Sequence, residues 1–518
     1  MYSQRIDGVF EVGNCEVNIG GNMKKPNIVI FNPDEYRGDV LGHLGNSAAI
    51  TPNLDKIVEK DGVSFKYAFT QNPVSTPSRC SFMSGWYPHV RGHRTMHHML
   101  RNDEPVLLKI LKDNGYFVWW GGKNDLVPGQ NNPEIYCNYK YFHSKKVKPM
   151  HMSDKEDKWR GKKGSDTYYS FYVGRLDKGN EEIYYDRDWD TVYAAIDFIK
   201  KRPKDKPFCL FLALSYPHPP YGVEEPWYSL IDREKIPERI PTPSNWENLP
   251  SILKGIYERQ NLKTWDEKRW RELRATYYGM CSRVDYQFGL ILKALKEERI
   301  YDETAIFFFS DHGDFTGDYG LVEKNQNTFQ DCLIRVPFVV KPPVWIPVKS
   351  GISEALVELI DFPATVFELT GINPDYTHFG NSLLPLIEGK SEENKDAVFC
   401  EGGRLKGETH CMELESPSAH SPEGLYWPRL SLQQKIPEHT KAVMIRTKKY
   451  KYVRRLYEKD EFYDLEKDPY ELKNEIDNPE YREEILNLKE RLLTFYLESS
   501  DVVPHNPDER IFRRPEEK

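Results

Sequence analysis

The feature that most constrains the fold is a set of short, unbroken apolar runs spread along the first two thirds of the chain. Asn27-Ile28-Val29-Ile30-Phe31 is the first, and Phe117 to Trp120, Phe208 to Leu214, Ala305 to Phe309 and Val336 to Val340 follow. Runs of this length without polar alternation read as strands covered on both faces, the pattern of a parallel sheet. Helical patterns separate them, at Val106 to Lys112, Thr191 to Lys201 and Trp270 to Glu297. Strands alternating with helices predict an α/β fold, a large and mainly parallel mixed sheet sandwiched by helices. In such folds functional groups gather beyond the carboxyl ends of the strands. Asp34, Lys123 and Asp311 each fall just past such an end.

After about Gly389 the pattern changes. Ala442 to Thr447 and Tyr450 to Arg454 read as antiparallel strands joined by Lys448-Lys449, Phe462 to Leu465 follows, and Arg482 to Leu497 has the spacing of an amphipathic helix. The expected organisation is a leader or disordered segment over 1–23, a large α/β domain over 24–389, and a smaller α+β domain over 390–518 with an antiparallel sheet and one helix. Tyr139 to Lys163, rich in Lys and poor in apolar residues, predicts a long loop or insertion.

A net charge of −8 argues against a dedicated nucleic-acid binder. No apolar run reaches the roughly 18 residues of a membrane span. Met1 to Gly21 lacks the basic start and apolar core of a secretion signal. The cysteines (Cys15, Cys80, Cys137, Cys209, Cys281, Cys332, Cys400 and Cys411) contain no C-x-x-C pair. The expectation is a cytoplasmic protein with reduced, mostly buried thiols.

Two stretches carry chemistry. In Ser75-Thr76-Pro77-Ser78-Arg79, followed by Ser84-Gly85, the proline suits a first helical turn, where its missing N–H has no partner anyway. Ser75 is then expected at the positive end of a helix, where an anion is stabilised, and Arg79 adds a fixed charge one turn on. This is a site for sulfate or phosphate esters. Asp311-His312-Gly313-Asp314 follows the strand Ala305 to Ser310 and, with Asp34, can grip one divalent cation. Calcium prefers oxygen ligands, whereas the imidazole of His312 also suits manganese or another transition ion.

In their order along the chain these stretches resemble the sulfatase family. The resemblance rests on N-I-V-x-x-x-x-D ending at Asp34, S-x-P-S-R at Ser75, G-K at Lys123, and S-D-H-G-D-x-x-G-D-x-G-L-x-x-K over 310–324. Ile445 to Tyr452 and Tyr463-Asp464-Leu465 look like the family's C-terminal part. The wider alkaline-phosphatase-like superfamily, including phosphonate monoester hydrolases, shares the D-H form of the metal motif. The resemblance implies that a maturation enzyme oxidises Ser75 to Cα-formylglycine, because a plain serine would be trapped as a sulfate ester. It implies that Asp34, Asp311, His312 and the modified Ser75 bind one divalent metal, calcium first and manganese or another ion as the alternative. Glu35 stands in the place of a second ligating aspartate. By the same resemblance Arg79 stabilises the hydrated aldehyde and Lys123 and Lys324 hold sulfate oxygens. His218, in Pro217-His218-Pro219, protonates the leaving oxygen, a task suited to a histidine near neutral pH. Asp125 departs from the family, which often has histidine there. Either Asp125 is the base, or a histidine arrives from elsewhere; His93, His97 and His98 are candidates, the last two also as substrate contacts.

The implied activity is sulfuric ester hydrolysis with release of inorganic sulfate, from a sulfated carbohydrate in preference to a simple aryl sulfate. Lys145, Lys146, Lys148, Lys158, Arg160, Lys162 and Lys163 could contact a polyanionic sugar, and Trp86, Trp227 and Tyr228 could stack on sugar rings or simply pack. The expected partners are a sulfated small molecule or glycan and the maturation enzyme, with no nucleic acid and no membrane; an oligomer is compatible. Two rival readings use the same residues: a phosphonate or phosphate monoester hydrolase, and a sulfated-glycan-binding protein with an inactive site.

Overall fold

The first strand, β1 (Asn27–Asp34), is buried along almost its whole length. Successive side chains of a strand point to opposite faces, and here the two faces feed two separate cores. Val29 and Phe31 join Leu210, Leu212, Ile306 and Phe308. Ile28 and Ile30 join Cys209, Phe211, Ala305 and Phe307. Burial on both sides is why the run contains no polar alternation. The computed structural model describes residues 24–144, 147–148, 158–413, 420–435 and 437–511.

Thirteen further strands follow: β2 (Val63–Phe69), β3 (Phe117–Gly122), β4 (Tyr139–Lys140), β5 (Tyr172–Arg175), β6 (Phe208–Pro217), β7 (Tyr221–Val223), β8 (Thr304–Phe309), β9 (Phe338–Lys341), β10 (Gly351–Glu358), β11 (Val398–Gly402), β12 (Ala442–Arg446), β13 (Tyr450–Arg455) and β14 (Glu461–Asp464). Seven of them join β1 in one eight-stranded sheet, in the order β10-β2-β9-β8-β1-β6-β3-β4. All run parallel except β9, which is antiparallel to both β2 and β8. The expected mainly parallel mixed sheet is therefore present. Helices Pro52–Lys60, Arg187–Lys201 and Glu267–Glu297 cover one face. Helices Ser75–Ser84, Leu107–Asp113 and Asp361–Thr370 cover the other. The long helix Glu267–Glu297 is capped by Asp266, whose carboxylate accepts from Arg269 N (2.9 Å). It sets Phe288 edge-on against Phe31, with centroids 5.1 Å apart.

Three strands depart from the reading of apolar runs. β2 and β10 are absent from those runs because Ser64, Lys66, Ser353 and Glu354 interrupt them. They lie at one margin of the sheet, where Lys66 Nζ reaches Glu354 Oε1 (2.7 Å). β9 matches the run Val336 to Val340 but points the other way; burial sets its composition and says nothing of its direction.

The four central neighbours β8, β1, β6 and β3 run parallel. Their carboxyl ends therefore stand side by side, across about 14 Å at the usual strand spacing. That edge positions the site.

The smaller sheet is antiparallel, in the order β11-β12-β13-β14. Helix Arg482–Ser499 closes it, with Phe495 stacked on Phe399 at 3.8 Å. Asp331, just before β9, ties this sheet to the large one through Arg446 Nη2 (2.8 Å) and Lys451 Nζ (2.7 Å). The two-stranded pair β5–β7 stands apart from both.

Of the expected insertion, 139–144, 147–148 and 158–163 are described and hold β4 and a short 3-10 helix, Lys158–Arg160. The expected leader over 1–23 lies outside the described residues. Among the described residues no helix is long and apolar enough to cross a membrane. The seven described cysteines are all buried and none is in a disulfide.

Candidate active site

Each strand end delivers one group. β1 ends in Asp34 and is followed by Glu35, β3 is followed by Lys123 and β6 by His218, while β8 leads through Ser310 to Asp311 and His312. β2 leads into the helix Ser75–Ser84, which is buried along its whole length and carries Ser75 in its first turn. Ser78 Oγ pins this helix to the metal-motif turn by donating to the carbonyl of Asp311 (2.6 Å).

Arg79 organises the carboxylates. Its Nε donates to Asp311 Oδ2 (3.0 Å), Nη2 to Asp34 Oδ2 (3.1 Å) and Nη1 to Asn32 Oδ1 (2.8 Å). Lys123 Nζ also reaches Asp34 Oδ2, and pairs with Asp125 Oδ2 at 2.9 Å. Asp34 Oδ1, by contrast, is buried with no hydrogen-bond partner. It lies 3.8 Å from His312 Nε2, which is 3.9 Å from Asp311 Oδ2 and 3.0 Å from Ser75 Oγ. His312 Nδ1 donates to the carbonyl of Gly313 (3.0 Å), so Nε2 presents its lone pair to the cluster. An orphaned carboxylate oxygen beside a second carboxylate, an imidazole and a hydroxyl is a donor set that fits one divalent cation. Ligand atoms of Asp34, Asp311 and His312 lie within 4.8 Å of one another.

Glu35 is turned elsewhere. Its backbone is left-handed (φ 65°), and its Oε2 accepts from Lys324 Nζ (2.6 Å) and lies 3.3 Å from His218 Nε2. Lys324 Nζ also donates to His218 Nε2 (2.9 Å) and pairs with Glu323 Oε1 (3.0 Å). Glu35 groups with Asp34 and His218, not with Asp311 and His312.

The charges follow from burial and pairing. Burial alone would raise the Asp34 carboxyl, but Lys123, His218, Arg79 and His312 together hold it well below the usual range. Glu35 goes the other way, raised by burial and by Asp314 and Glu323 against the pull of Lys324. Burial, with Lys324 and Lys123 nearby, lowers His218 well below its ordinary value. Burial also lowers His312, against the pull of Asp311. Burial disfavours both ammonium groups, yet Asp125 and Asp34 raise Lys123, and Glu323 and Glu35 raise Lys324. The cluster thus holds three cations, Arg79, Lys123 and Lys324, and keeps the carboxyls of Asp34 and Asp125 ionised.

The other candidates sit as follows. His93 is buried and closed off by Glu104 (3.0 Å) and the carbonyl of His98 (2.9 Å). His97 and His98 lie on the neighbouring segment, which Thr76 touches through the carbonyl of Met96 (3.1 Å); His98 Nδ1 meets Thr95 Oγ1. Asp125 meets the cluster through Lys123 Nζ (2.9 Å). The aromatic candidates pack. Trp86 donates to the carbonyl of Thr377 (2.8 Å), Trp227 lies between Trp189 and Tyr286 (5.7 and 5.6 Å), and Tyr228 donates to Glu272 (2.8 Å). Of the basic stretch, Lys148 pairs with Glu181 and Lys163 with Glu423 (3.2 and 3.4 Å), and Arg160 donates to the carbonyl of Glu423 (2.8 Å). Lys162 is exposed, and Lys145 and Lys146 lie outside the described residues.

Several supporting residues escaped sequence reasoning. Tyr221, directly after the His218 turn, donates to Asp314 Oδ1 (2.8 Å) and accepts from Glu323 N (2.9 Å). Arg429 holds Glu323 through its Nε (3.0 Å), and Tyr426 stands 6.5 Å from the His218 ring. Asp314 and Glu323 adjoin motif residues and so carried a weak signal; Tyr426 and Arg429 carried none.

The family model for Sulfatase matches residues 26–372. An arylsulfatase of Clostridium perfringens is 28% identical over 499 residues, 90% of this chain and 94% of the relative. An ulvan-active sulfatase of Formosa agariphila is 26% identical over 463 residues, 88% of this chain and 78% of the relative. The crystal structure of a phosphonate monoester hydrolase of Agrobacterium radiobacter superposes with a TM-score of 0.70 at 22% identity, covering 93% of this chain and 100% of that one. With a family model spanning most of the large sheet and the whole cluster from Asp34 to Lys324, the chain belongs to the sulfatase family.

Proposed function

We propose that this chain hydrolyses sulfate monoesters to an alcohol and inorganic sulfate, with sulfated carbohydrates as its substrate class. One observation carries the reading: Ser75 Oγ, in the first turn of a helix, lies 3.0 Å from His312 Nε2, in one cluster with Asp34 and Asp311, while Lys123 pairs with Asp34 and Lys324 with His218. Asp34, Asp311 and His312 would hold the cation, calcium or manganese, beside residue 75. When present, the cation and the formylglycine derived from Ser75 supply the acidified hydroxyl that attacks sulfur.

The other residues have separable tasks. Arg79 keeps Asp34 and Asp311 in register. Lys123, half-buried, and Lys324, buried, bring two ammonium groups to the sulfate oxygens, and charge fixed in place before the reaction is commonly the largest catalytic term. In the free site His218 Nε2 accepts from Lys324 Nζ (2.9 Å) and carries no proton; an incoming anionic ester draws Lys324 away and favours uptake of a proton from solvent at Nε2, which His218 then gives to the leaving oxygen. Glu35 holds Lys324 and His218 at the level of the ester and acts as a positioning group. Asp125, 2.9 Å from Lys123 Nζ, is the base on the nucleophile's side. The catalytic unit is 24–389, and 390–518 closes it through Tyr426 and Arg429.

The ulvan-active relative favours a carbohydrate ester over a simple aryl sulfate. The test is expression with a formylglycine-generating enzyme, after which the peptide spanning Ser75 loses about 2 mass units. The matured protein is then assayed on sulfated saccharides and on matched aryl sulfate and aryl phosphonate esters. Release of sulfate in preference to phosphonate supports the reading. Faster phosphonate turnover overturns it, as does glycan binding without release.

A further inference from the structure

The segment after β11 carries a cluster that sulfate chemistry does not use. Glu408, His410 and Cys411 each offer a ligand atom, and these atoms lie within 4.8 Å of one another. Thr409–Cys411 is a single 3-10 turn, which leaves His410 exposed and buries Cys411. Across from His410 stands His98, with ring centroids 6.1 Å apart. Thiol, imidazole and carboxylate together suit zinc, whereas calcium and magnesium take oxygen ligands. We propose that Glu408, His410 and Cys411 form a second metal site, for zinc or a cation of similar softness, separate from the Asp34–Asp311–His312 cluster.

The geometry is within reach. Tetrahedral zinc with bonds of about 2.0–2.3 Å holds its ligand atoms about 3.3–3.8 Å apart. Atoms within 4.8 Å of one another reach that spacing by shifts of about an ångström or less; the imidazole is exposed, and the half-buried Glu408 carboxylate also accepts from Leu405 N (2.7 Å). Arg94 Nη2 donates to both oxygens of Glu408 (3.0 and 3.1 Å), and its Nη1 donates to the carbonyl of Gly403 (2.9 Å). A carboxylate has lone pairs for a guanidinium and a metal together, and an outer hydrogen bond of this kind orients a ligand. Binding expels the thiol proton of Cys411, so thiolate and carboxylate balance the two charges of the ion. A water or His98 completes the fourth position. Arg94 and His98 belong to the segment that Thr76 contacts through Met96. An ion here therefore ties the loop 403–413 to the rim beside Ser75. The site is independent of the reaction proposed above.

Cobalt(II) titration of the reduced full chain tests this without an activity readout. The catalytic cluster contains no cysteine, so a thiolate-to-cobalt charge-transfer band in the near ultraviolet reports a cysteine site, and its loss in Cys411→Ser assigns it to this one. The expected result is such a band saturating at one equivalent and displaced by zinc. Cys411→Ser abolishes the band, and His410→Ala, at an exposed side chain, weakens zinc binding at least about tenfold. No band in the parent protein, or a band that persists in Cys411→Ser, overturns the proposal.

Discussion

Replacing Arg79 with Met tests whether the carboxylate pair is held by this one guanidinium. Met keeps most of the volume and removes the charge. Arg79 is 1% exposed and donates to Asp311, Asp34 and Asn32. Hydrogen bonds to charged groups contribute about 1.5–3 kcal/mol each, but the partners are not abandoned altogether. Asp34 keeps Lys123, and Asp311 Oδ1 keeps the N–H groups of Glu35 and His312 (3.1 and 3.0 Å). The expected loss is therefore that of one broken buried pair, about 3–5 kcal/mol. At about 2.1 cal/mol/K per residue, a chain of 518 residues has an unfolding entropy near 1.1 kcal/mol/K, so Tm should fall by about 3–5 °C in metal-free buffer. A divalent cation supplies the charge that was removed, so saturating calcium or manganese should raise Tm more in Arg79→Met than in the parent. The assay is thermal unfolding by circular dichroism, with and without chelator. A metal-free variant within about 1 °C of the parent, or one that gains less from metal than the parent does, would refute this reasoning.

His218→Ala should slow hydrolysis of alkyl sulfates by about 10²–10⁴-fold and of p-nitrophenyl sulfate far less, because a good leaving group needs no proton; steady-state kinetics on the two esters separates the cases. Asp188 accepts from Ser215 N (2.9 Å) and Tyr216 N (2.8 Å) beneath the turn that carries His218, so Asp188→Ala should lower kcat about tenfold and leave KM little changed. Trp227→Ala should destabilise the fold by about 3–5 kcal/mol in urea unfolding, with saccharide KM unchanged if the ring packs and does not stack on sugar. Asp331 is held far below the usual carboxylate range: burial opposes this, and Arg446 and Lys451 outweigh it. A depressed folded pKa gives stability that is present above about pH 4 and is lost as pH falls further, so the Tm gap between parent and Asp331→Asn should be full at pH 7 and shrink below pH 4.

The strands that read clearly from sequence are those covered on both faces. β1, β3, β6 and β8 each carry an unbroken apolar run, and because all four are parallel neighbours, the polar residues after each run meet. That is why Asp34, Lys123 and Asp311 could be nominated from strand ends nearly 280 residues apart, while His218 came from the family resemblance. β2 and β10 were illegible because their margin of the sheet admits Lys66 and Glu354. The direction of Glu35 was illegible too: it depends on a left-handed backbone and on the ammonium of Lys324, neither of which a motif encodes. Trp227 and Tyr228 look like sugar platforms in composition, yet they are buried or bonded within the protein, since an aromatic ring fills a core as readily as a binding face. Tyr426 and Arg429 approach the site from the small-sheet part of the chain and follow no spacing rule.

The most direct measurement is inorganic sulfate, quantified by ion chromatography, released from a sulfated saccharide by matured protein and by Ser75→Ala treated identically. The account predicts steady release by the first and none by the second. Matured, metal-loaded protein whose residue 75 has been converted, and which releases no sulfate from any sulfated ester offered, would contradict it.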